Sequence, residues 1–165
     1  MRQLMAVGSA VFAVLAIAAC GGGGGKTSSG AANPDSVSVQ QLSGVGSVLV
    51  DQSGKALYTS DQEANGKIVC DGSCNAFWKP LEASGGKPSG AGKLGEIKRP
   101  DGTMQVTSNG KPLYTFSEDS PGKVTGNGFS DDFAGRHFTW HVVTSRGTAK
   151  PAAGSGGGGG GYGGY

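Results

Sequence analysis

The chain has 165 residues, with 14 Lys and Arg against 12 Asp and Glu, for a formal net charge of +2. Because the charges form neither a basic stripe nor an acidic block, we do not expect nucleic acid as a partner. Glycine supplies 33 residues, concentrated near the two ends, and such stretches bury too little apolar surface to offset the entropy lost on folding.

The first residues have the pattern of a secretory signal. Met1-Arg2 precedes an apolar run from Leu4 to Ala19, which is shorter than the ~20 residues of a membrane-spanning helix. Ile17-Ala18-Ala19-Cys20 resembles a bacterial lipobox. The resemblance implies that residues 1–19 are a lipoprotein signal peptide and that Cys20 carries a lipid anchor at the cell membrane, on its extracytoplasmic face. Plain secretion and an uncleaved helix are the alternatives.

Glycine-rich segments flank the expected domain. Residues 20–43 are predicted to be a flexible linker and residues 147–165 a disordered tail, which leaves 44–146 as one folded domain. Gly25-Lys26-Thr27 imitates a phosphate-binding loop, but Cys20 stands where the first glycine of that loop belongs. We therefore expect no nucleotide to bind.

The folded part contains an internal duplication. Residues 46–67 align without gaps on residues 102–123, and nine of the 22 paired residues are identical. The repeats are assigned to residues 46–81 and 102–143, with a Gly- and Pro-containing segment at 83–92 between them.

Each repeat has the pattern of a β-hairpin. In the second repeat, residues 104–107 and 111–116 flank Asn109-Gly110, the dipeptide most typical of a type I′ turn. In the first repeat, residues 48–50 and 56–59 flank a turn around Gly54.

Two more strands are predicted at residues 95–99 and 137–144, since the latter is rich in β-branched and aromatic residues. A helical turn is expected at 74–78, ended by Pro80. Pro112 has no N–H to donate, so we expect it at a sheet edge or a non-bonded position. The sequence thus predicts an all-β fold: a small antiparallel domain built from two hairpin-containing repeats, with at most one or two short helical turns.

The second repeat carries a recognisable motif. Tyr114-Thr115-Phe116-Ser117-Glu118-Asp119 fits the pattern Tyr-x-(Phe/Trp/Tyr)-x-x-Asp. Asn109-Gly110 stands upstream, Cys70 to Leu81 in the first repeat and Gly126 to Phe129 before Trp140 carry further matching motifs, and about residues 45–146 resemble a bacterial family of secreted-repeat lipoproteins of unknown function. The first repeat departs from the motif, because Ser60 and Glu63 follow Tyr58 where an aromatic residue and Asp would stand. The motif residues are Tyr114, Phe116 and Asp119, and Tyr58 is the counterpart of Tyr114 in the first repeat. Beyond the gapless stretch, Trp78 is matched with Trp140 after six extra residues in the second repeat.

These aromatic side chains are expected to fill the core, because a small β domain needs large side chains to bury enough area. A binding role is the alternative. Asp119 is expected to cap the turn before Pro121-Gly122.

Cys70 and Cys74 remain once Cys20 is lipidated. In an oxidising compartment an even pair predicts a disulfide, and Gly72 lets the intervening segment bend sharply enough. A redox-active pair and metal or haem ligation are the alternatives, although three intervening residues depart from a redox Cys-x-x-Cys.

The two histidines, His137 and His141, would lie about 13 Å apart on a strand. They cannot share one metal ion at that distance, so no metal or other cofactor is expected. A site combining one histidine with Asp131 or Asp132 stays open.

No catalytic arrangement with a known sequence context is present, so an enzyme is not favoured. The sequence favours a membrane-anchored lipoprotein acting as a non-catalytic interaction or envelope-structural module, with an envelope protein or the cell wall as partner. The alternative is an extracytoplasmic redox or metal-linked accessory protein that uses Cys70, Cys74 and nearby aromatics.

Overall fold

The computed structural model describes residues 35–149, and short β-strands are the predominant regular structure in that range. Two 3₁₀ turns, Asp61–Glu63 and Gly72–Ala76, are the helical elements of these residues. The predicted all-β class is therefore confirmed. The strands are β1 (Ser38–Leu42), β2 (Gly46–Val50), β3 (Leu57–Ser60), β4 (Trp78–Pro80), β5 (Leu94–Lys98), β6 (Met104–Ser108), β7 (Lys111–Pro112), β8 (Tyr114–Phe116), β9 (Ser130–Phe133), β10 (Arg136–Thr144) and β11 (Gly147–Thr148).

The strands form two antiparallel sheets. The main sheet has the order β1-β2-β10-β3-β8-β4, and β9 and β11 also pair with β10. The smaller sheet has the order β5-β6-β7. A bridge between Glu82 and Gln105 joins the chain just after β4 to the smaller sheet.

The two repeats are related by a pseudo-two-fold axis at the centre of the main sheet. Tyr58 in β3 and Tyr114 in β8 are Cα partners across the two central strands. On the outer side of β3 lies β10, which belongs to the second repeat, and on the outer side of β8 lies β4, which belongs to the first. Each repeat thus places its last strand against the other repeat, so neither repeat builds its part of the sheet alone.

The strand registers obey the same symmetry. Trp140 lies opposite Ser60 in the pairing of β10 with β3, and Trp78 lies opposite Phe116 in the pairing of β4 with β8. Ser60 and Phe116 are equivalent in the gapless alignment, since both follow the repeat tyrosine by two residues. The match of Trp78 with Trp140 inferred from sequence therefore agrees with the geometry.

The domain begins earlier and ends later than the composition predicts. Ser38–Leu42 forms β1 against β2, and Asp35 and Val37 are buried, so the predicted linker is wrong from residue 35 onward. The side chains of β1 are exposed up to Leu42, which explains why a polar, linker-like sequence forms an edge strand held mainly by its backbone. Gly147–Thr148 likewise pairs with β10 as β11. The remainder of the predicted linker and tail lies outside the described residues.

Both predicted hairpins form, but each opens soon after its turn. In the first, Val50 and Ala56 make a single bridge. In the second, β7 contributes two residue pairs to β6 before the chain crosses into the main sheet as β8, so the strand predicted over 111–116 is broken at Leu113. The sheet-edge position expected of Pro112 is confirmed, since β7 ends the smaller sheet.

The predicted helical turn ends earlier than expected. Gly72–Ala76 forms the 3₁₀ turn, whereas Trp78 opens β4. Trp78 is fully buried, and placing its large ring in the core requires the extended pairing with Phe116.

Both faces of the central strands of the main sheet are buried, because alternate residues of these strands enter different clusters. Tyr58 enters an aromatic cluster, whereas the adjacent Leu57 enters an aliphatic one. The aromatic cluster also includes Val48, Val50, Ala56, Cys70, Cys74, Trp78, Tyr114, Phe116, Phe138, Trp140 and Val142. The aliphatic cluster also includes Val37, Leu49, Leu81, Val106, Leu113 and Val143.

Candidate functional site

The motif carboxylate Asp119 ties the two repeats together. The phenol of Tyr58 donates a hydrogen bond to Asp119 Oδ2 at 2.5 Å. The backbone N–H and the hydroxyl of Thr125 donate to Asp119 Oδ1 at 2.9 and 2.6 Å. Burial, followed by the hydrogen bond to Asp119, raises the pKa of Tyr58 well above its usual range. The expectation that Asp119 caps a turn is thus correct in kind, but the segment it caps lies beyond Pro121-Gly122.

Glu63 plays the same part in the first repeat. Its Oε1 accepts the phenol of Tyr114 at 3.0 Å and the backbone N–H groups of Val69 and Cys70 at 2.5 and 2.7 Å. Val69 and Thr125 are separated by the repeat offset, as are Glu63 and Asp119. The residue that departs from the motif in sequence therefore completes a second, symmetric tie between the repeats.

The two ties differ in their electrostatics. Glu63 is fully buried, and its Oε2 has no partner within residues 35–149. Burial raises the pKa of Glu63, an effect that the hydrogen bonds to Oε1 only partly offset. Burial and the charge of Glu63 together raise the pKa of Tyr114 far above its ordinary value.

The indoles of Trp78 and Trp140 share one carboxylate. The rings stack with centroids 3.9 Å apart, and their Nε1–H groups donate to the two oxygens of Asp131 at 2.7 and 3.0 Å. Partial burial raises the pKa of Asp131, although both indole N–H groups act in the opposite direction. Phe116 and Phe138 extend the stack at its two ends.

The aromatic residues singled out from the sequence are thus brought together in one cluster. Tyr58, Trp78, Tyr114 and Trp140 are fully buried, and Phe116 nearly so. They have the core role that the sequence favours, and the motif supplies contacts between repeats rather than an open surface.

The disulfide expected between Cys70 and Cys74 is present, with Cα atoms 5.4 Å apart and both residues fully buried. Arg99, itself only 3% exposed, holds this loop in place. Its guanidinium donates to the carbonyl of Cys70 at 3.1 Å and to Asn75 Oδ1 at 3.2 Å. The disulfide and Arg99 together hold the backbone of Cys70 in place, and the N–H of Cys70 donates to Glu63.

The histidines lie in separate places. His137 is 3.3 Å from Asp132, and both side chains are largely exposed. His141 is 3.0 Å from Asp61 and only 17% exposed. Within residues 35–149, no group of three or more His, Cys, Asp or Glu side chains is arranged to hold a metal ion.

Three phenylalanines around β9 remain accessible, and we call them the aromatic surface: Phe77, Phe129 and Phe133. Phe77 is 38% exposed and Phe129 is 39% exposed. The ring of Phe77 contacts that of Phe133 at 5.8 Å, and Phe129 lies over Trp78 and Phe116 at 6.3 and 5.3 Å. The backbone of Phe129 is bonded to Trp140, so the surface is built directly on the aromatic cluster.

The sequence alone did not point to Glu63 or Arg99, and it suggested Asp131 only as the partner of a histidine rather than of the tryptophans. The gapless alignment already places Glu63 on Asp119, so two carboxylates at equivalent positions were the available signal. Asp131 has no counterpart in that alignment, and Arg99 ends the strand predicted over residues 95–99, where no local pattern marks its side chain for burial. Cys20 lies outside the described residues, and within those residues no helix is long and apolar enough to cross a membrane.

Comparison with known proteins identifies one relationship. Residues 95–144 match the model of a family described as a secreted repeat of unknown function. No curated protein and no solved structure matches the chain. The matched segment runs from β5 through β10, so it corresponds to the second structural repeat, and a secreted repeat is consistent with an extracytoplasmic protein. The resemblance to a secreted-repeat family inferred from the sequence is therefore confirmed over residues 95–144.

Proposed function

We propose that the protein is a lipid-anchored, extracytoplasmic interaction module that binds an envelope protein through its aromatic surface. The observation that carries the proposal is the exposure of Phe77 and Phe129 in a domain whose other large aromatic side chains are mostly buried. Exposed rings on a fixed backbone are the residues that most often dominate protein interfaces. Clustered exposed apolar groups commonly mark interaction sites.

The use of the motif supports a non-catalytic role. Tyr114 and Asp119 are each engaged with the opposite repeat, in hydrogen bonds that hold the domain together. A carboxylate occupied in this way stabilises the fold, and it does not face a substrate. We infer that the motif builds the platform and that the aromatic surface makes the contact.

The anchor is supported by the lipobox-like segment that ends at Cys20. A diacylglycerol supplies two acyl chains, enough for stable attachment where a single chain gives marginal binding. We expect the full chain to sediment with membranes and the Cys20→Ser variant to be released. Retention of Cys20→Ser in the membrane fraction would contradict the lipid anchor and would have no bearing on the proposed interaction.

The partner is tested with a matched pair of variants. Phe77→Ser combined with Phe129→Ser removes the exposed rings, whereas Val39→Ser removes an apolar residue that is at least as exposed, on edge strand β1. Each protein is immobilised, incubated with envelope extract and checked for folding by near-ultraviolet circular dichroism. We expect the double variant to lose a protein that wild type and Val39→Ser both retain.

Two outcomes would overturn this assignment. Retention of the same protein by the double variant would remove the aromatic surface from the interaction. Sedimentation of the wild type with purified cell wall, abolished in the double variant, would replace the envelope protein by a wall polymer as partner.

A further inference from the structure

The buried aromatic cluster contains four polar rings in continuous contact. Tyr58 meets Trp78 edge-on at 5.4 Å, Trp78 stacks on Trp140 at 3.9 Å, and Trp140 meets Tyr114 edge-on at 5.2 Å. Each ring's polar atom donates a hydrogen bond to a carboxylate. Packing alone does not require these polar atoms, because phenylalanine fills both ends of the same stack.

We propose that this cluster is a one-electron redox site, in which the tryptophan pair loses an electron first and Tyr58 then carries the radical. The reactant is a small oxygen-centred radical of the peroxyl class. The rings that carry this chemistry are buried in the domain itself, so it is tested on the isolated chain, independently of the partner proposed for the aromatic surface.

The tryptophan pair is the entry point. Asp131 is only partly buried and touches both indole N–H groups, and the exposed ring of Phe129 lies over Trp78. A single layer of side chains therefore separates the indoles from solvent. An electron crosses that layer without the reactant entering the core.

The steps balance with the groups present. The peroxyl radical takes one electron from the indole pair and, with a proton from water, becomes a hydroperoxide. The indole N–H proton passes to Asp131, which is within hydrogen-bond reach. Tyr58 then returns one electron to the indole, its phenolic proton moves to Asp119, and Asp131 gives its proton back. The net change is one electron leaving the protein and one proton moving from Tyr58 to Asp119.

The two tyrosines are not equivalent as the final site of the radical. Among residues 35–149, Tyr58 is the one donor to Asp119 Oδ2, at 2.5 Å. Glu63 Oε1 already accepts two backbone N–H groups in addition to Tyr114, which lies farther away at 3.0 Å. Burial raises the pKa of Tyr58, so its radical forms only if the proton leaves with the electron. The Oδ2 lone pair of Asp119 that accepts the hydrogen bond of Tyr58 is the one that receives this proton.

The pseudo-symmetry supplies a matched control. The chain has 4 tyrosines, so Tyr162→Phe and Tyr165→Phe are placed in the background to remove the two tail phenols. In the full chain, a photogenerated ruthenium(III) polypyridyl complex oxidises the protein, and transient absorption follows the indolyl and phenoxyl radicals. We expect the indolyl signal to convert into phenoxyl in the background protein and in Tyr114→Phe. We expect Tyr58→Phe to lose the phenoxyl signal.

Asp119→Asn tests the proton acceptor. Its amide N–H can still bond the oxygen of Tyr58, but it cannot take a proton. With near-ultraviolet circular dichroism confirming the fold, phenoxyl formation should be lost. Equal phenoxyl yields in Tyr58→Phe and Tyr114→Phe, or an unchanged yield in folded Asp119→Asn, would overturn the proposal. If Asp119→Asn does not fold, the two tyrosine variants decide the question.

Discussion

Tyr114 donates its phenolic hydrogen bond to Glu63 at 3.0 Å, in the place where symmetry puts the bond from Tyr58 to Asp119. Each repeat therefore secures the tyrosine of the other. Because β4 and β10 also pair with the opposite repeat, the domain should unfold as one unit, and breaking a hydrogen bond in either repeat should weaken both.

A double-mutant cycle measures the tie between the repeats. Tyr58→Phe and Asp119→Asn should each reduce the free energy of unfolding by about 1–3 kcal/mol, because each leaves a buried polar group short of a partner. The pair should show a coupling of about 0.5 kcal/mol or more. Urea unfolding of both single variants and the double variant gives the coupling. A cycle of Tyr58→Phe with Asp132→Asn, an exposed carboxylate whose partner is His137, serves as the control. Additive effects in the first cycle would show that the hydrogen bond between Tyr58 and Asp119 contributes nothing to stability.

Glu63 should make stability depend on pH. Its folded-state pKa is raised by burial, so the stability it supports is fully present below the unfolded pKa and is lost as pH rises through the folded pKa. The free energy of unfolding of the wild type should therefore fall, relative to that of Glu63→Gln, as pH rises from about 4. All other titrating groups are common to these two proteins. Glu63→Gln keeps the acceptor oxygen and removes the titration, so its pH profile should be flatter. Superimposable profiles from urea unfolding across this range would contradict the assignment.

One turn carries a residue that is poorly suited to its backbone. Ala134-Gly135 joins β9 to β10 with φ of +49° and +73°, almost the same values as Asn109-Gly110 at +51° and +78°. Asn tolerates this left-handed conformation better than Ala does. Ala134→Asn should stabilise the protein by about 0.5–1 kcal/mol, and Asn109→Ala should destabilise it by a similar amount. Thermal unfolding checks both, and a lower midpoint for Ala134→Asn would refute this expectation.

Gly126 is required for close packing against the aromatic cluster. A Cβ at this position would lie 2.8 Å from Trp78 Cη2 and 3.2 Å from carbons of Tyr58 and Phe116. Gly126→Ala should therefore cost about 1–3 kcal/mol, as overpacking of a filled core does. Gly86→Ala is the control, since its Cβ would meet nothing within 4 Å. Equal unfolding midpoints for the two variants would show that the aromatic cluster accommodates the added methyl group without loss of stability.

The parts of the fold that rest on local patterns could be predicted from the sequence. The Asn109-Gly110 turn, the β-branched run of β10 and the Cys70–Cys74 pair each follow from the chemistry of neighbouring residues. The exchange of strands between repeats could not be predicted, because it depends on which of two similar partners a strand selects. Strand β1 could not be predicted, because most of its exposed residues are as polar as those of a linker.

The candidate site was predictable only in part. The motif residues of the second repeat follow from the resemblance, but their burial against the first repeat depends on tertiary structure. Asp131 unites two tryptophans that are far apart in the chain, and no local pattern marks it. Phe77 and Phe129 are exposed, whereas their sequence would suit a core position equally well.

The most direct test of the interaction is photo-crosslinking of the anchored protein in intact cells. A photoreactive phenylalanine analogue replaces Phe129 in one variant and Val39 in another, so both probes sit at exposed apolar positions. We predict a discrete protein adduct from position 129 and none from position 39. The absence of an adduct at position 129, or the same adduct from both positions, would contradict an interaction through the aromatic surface.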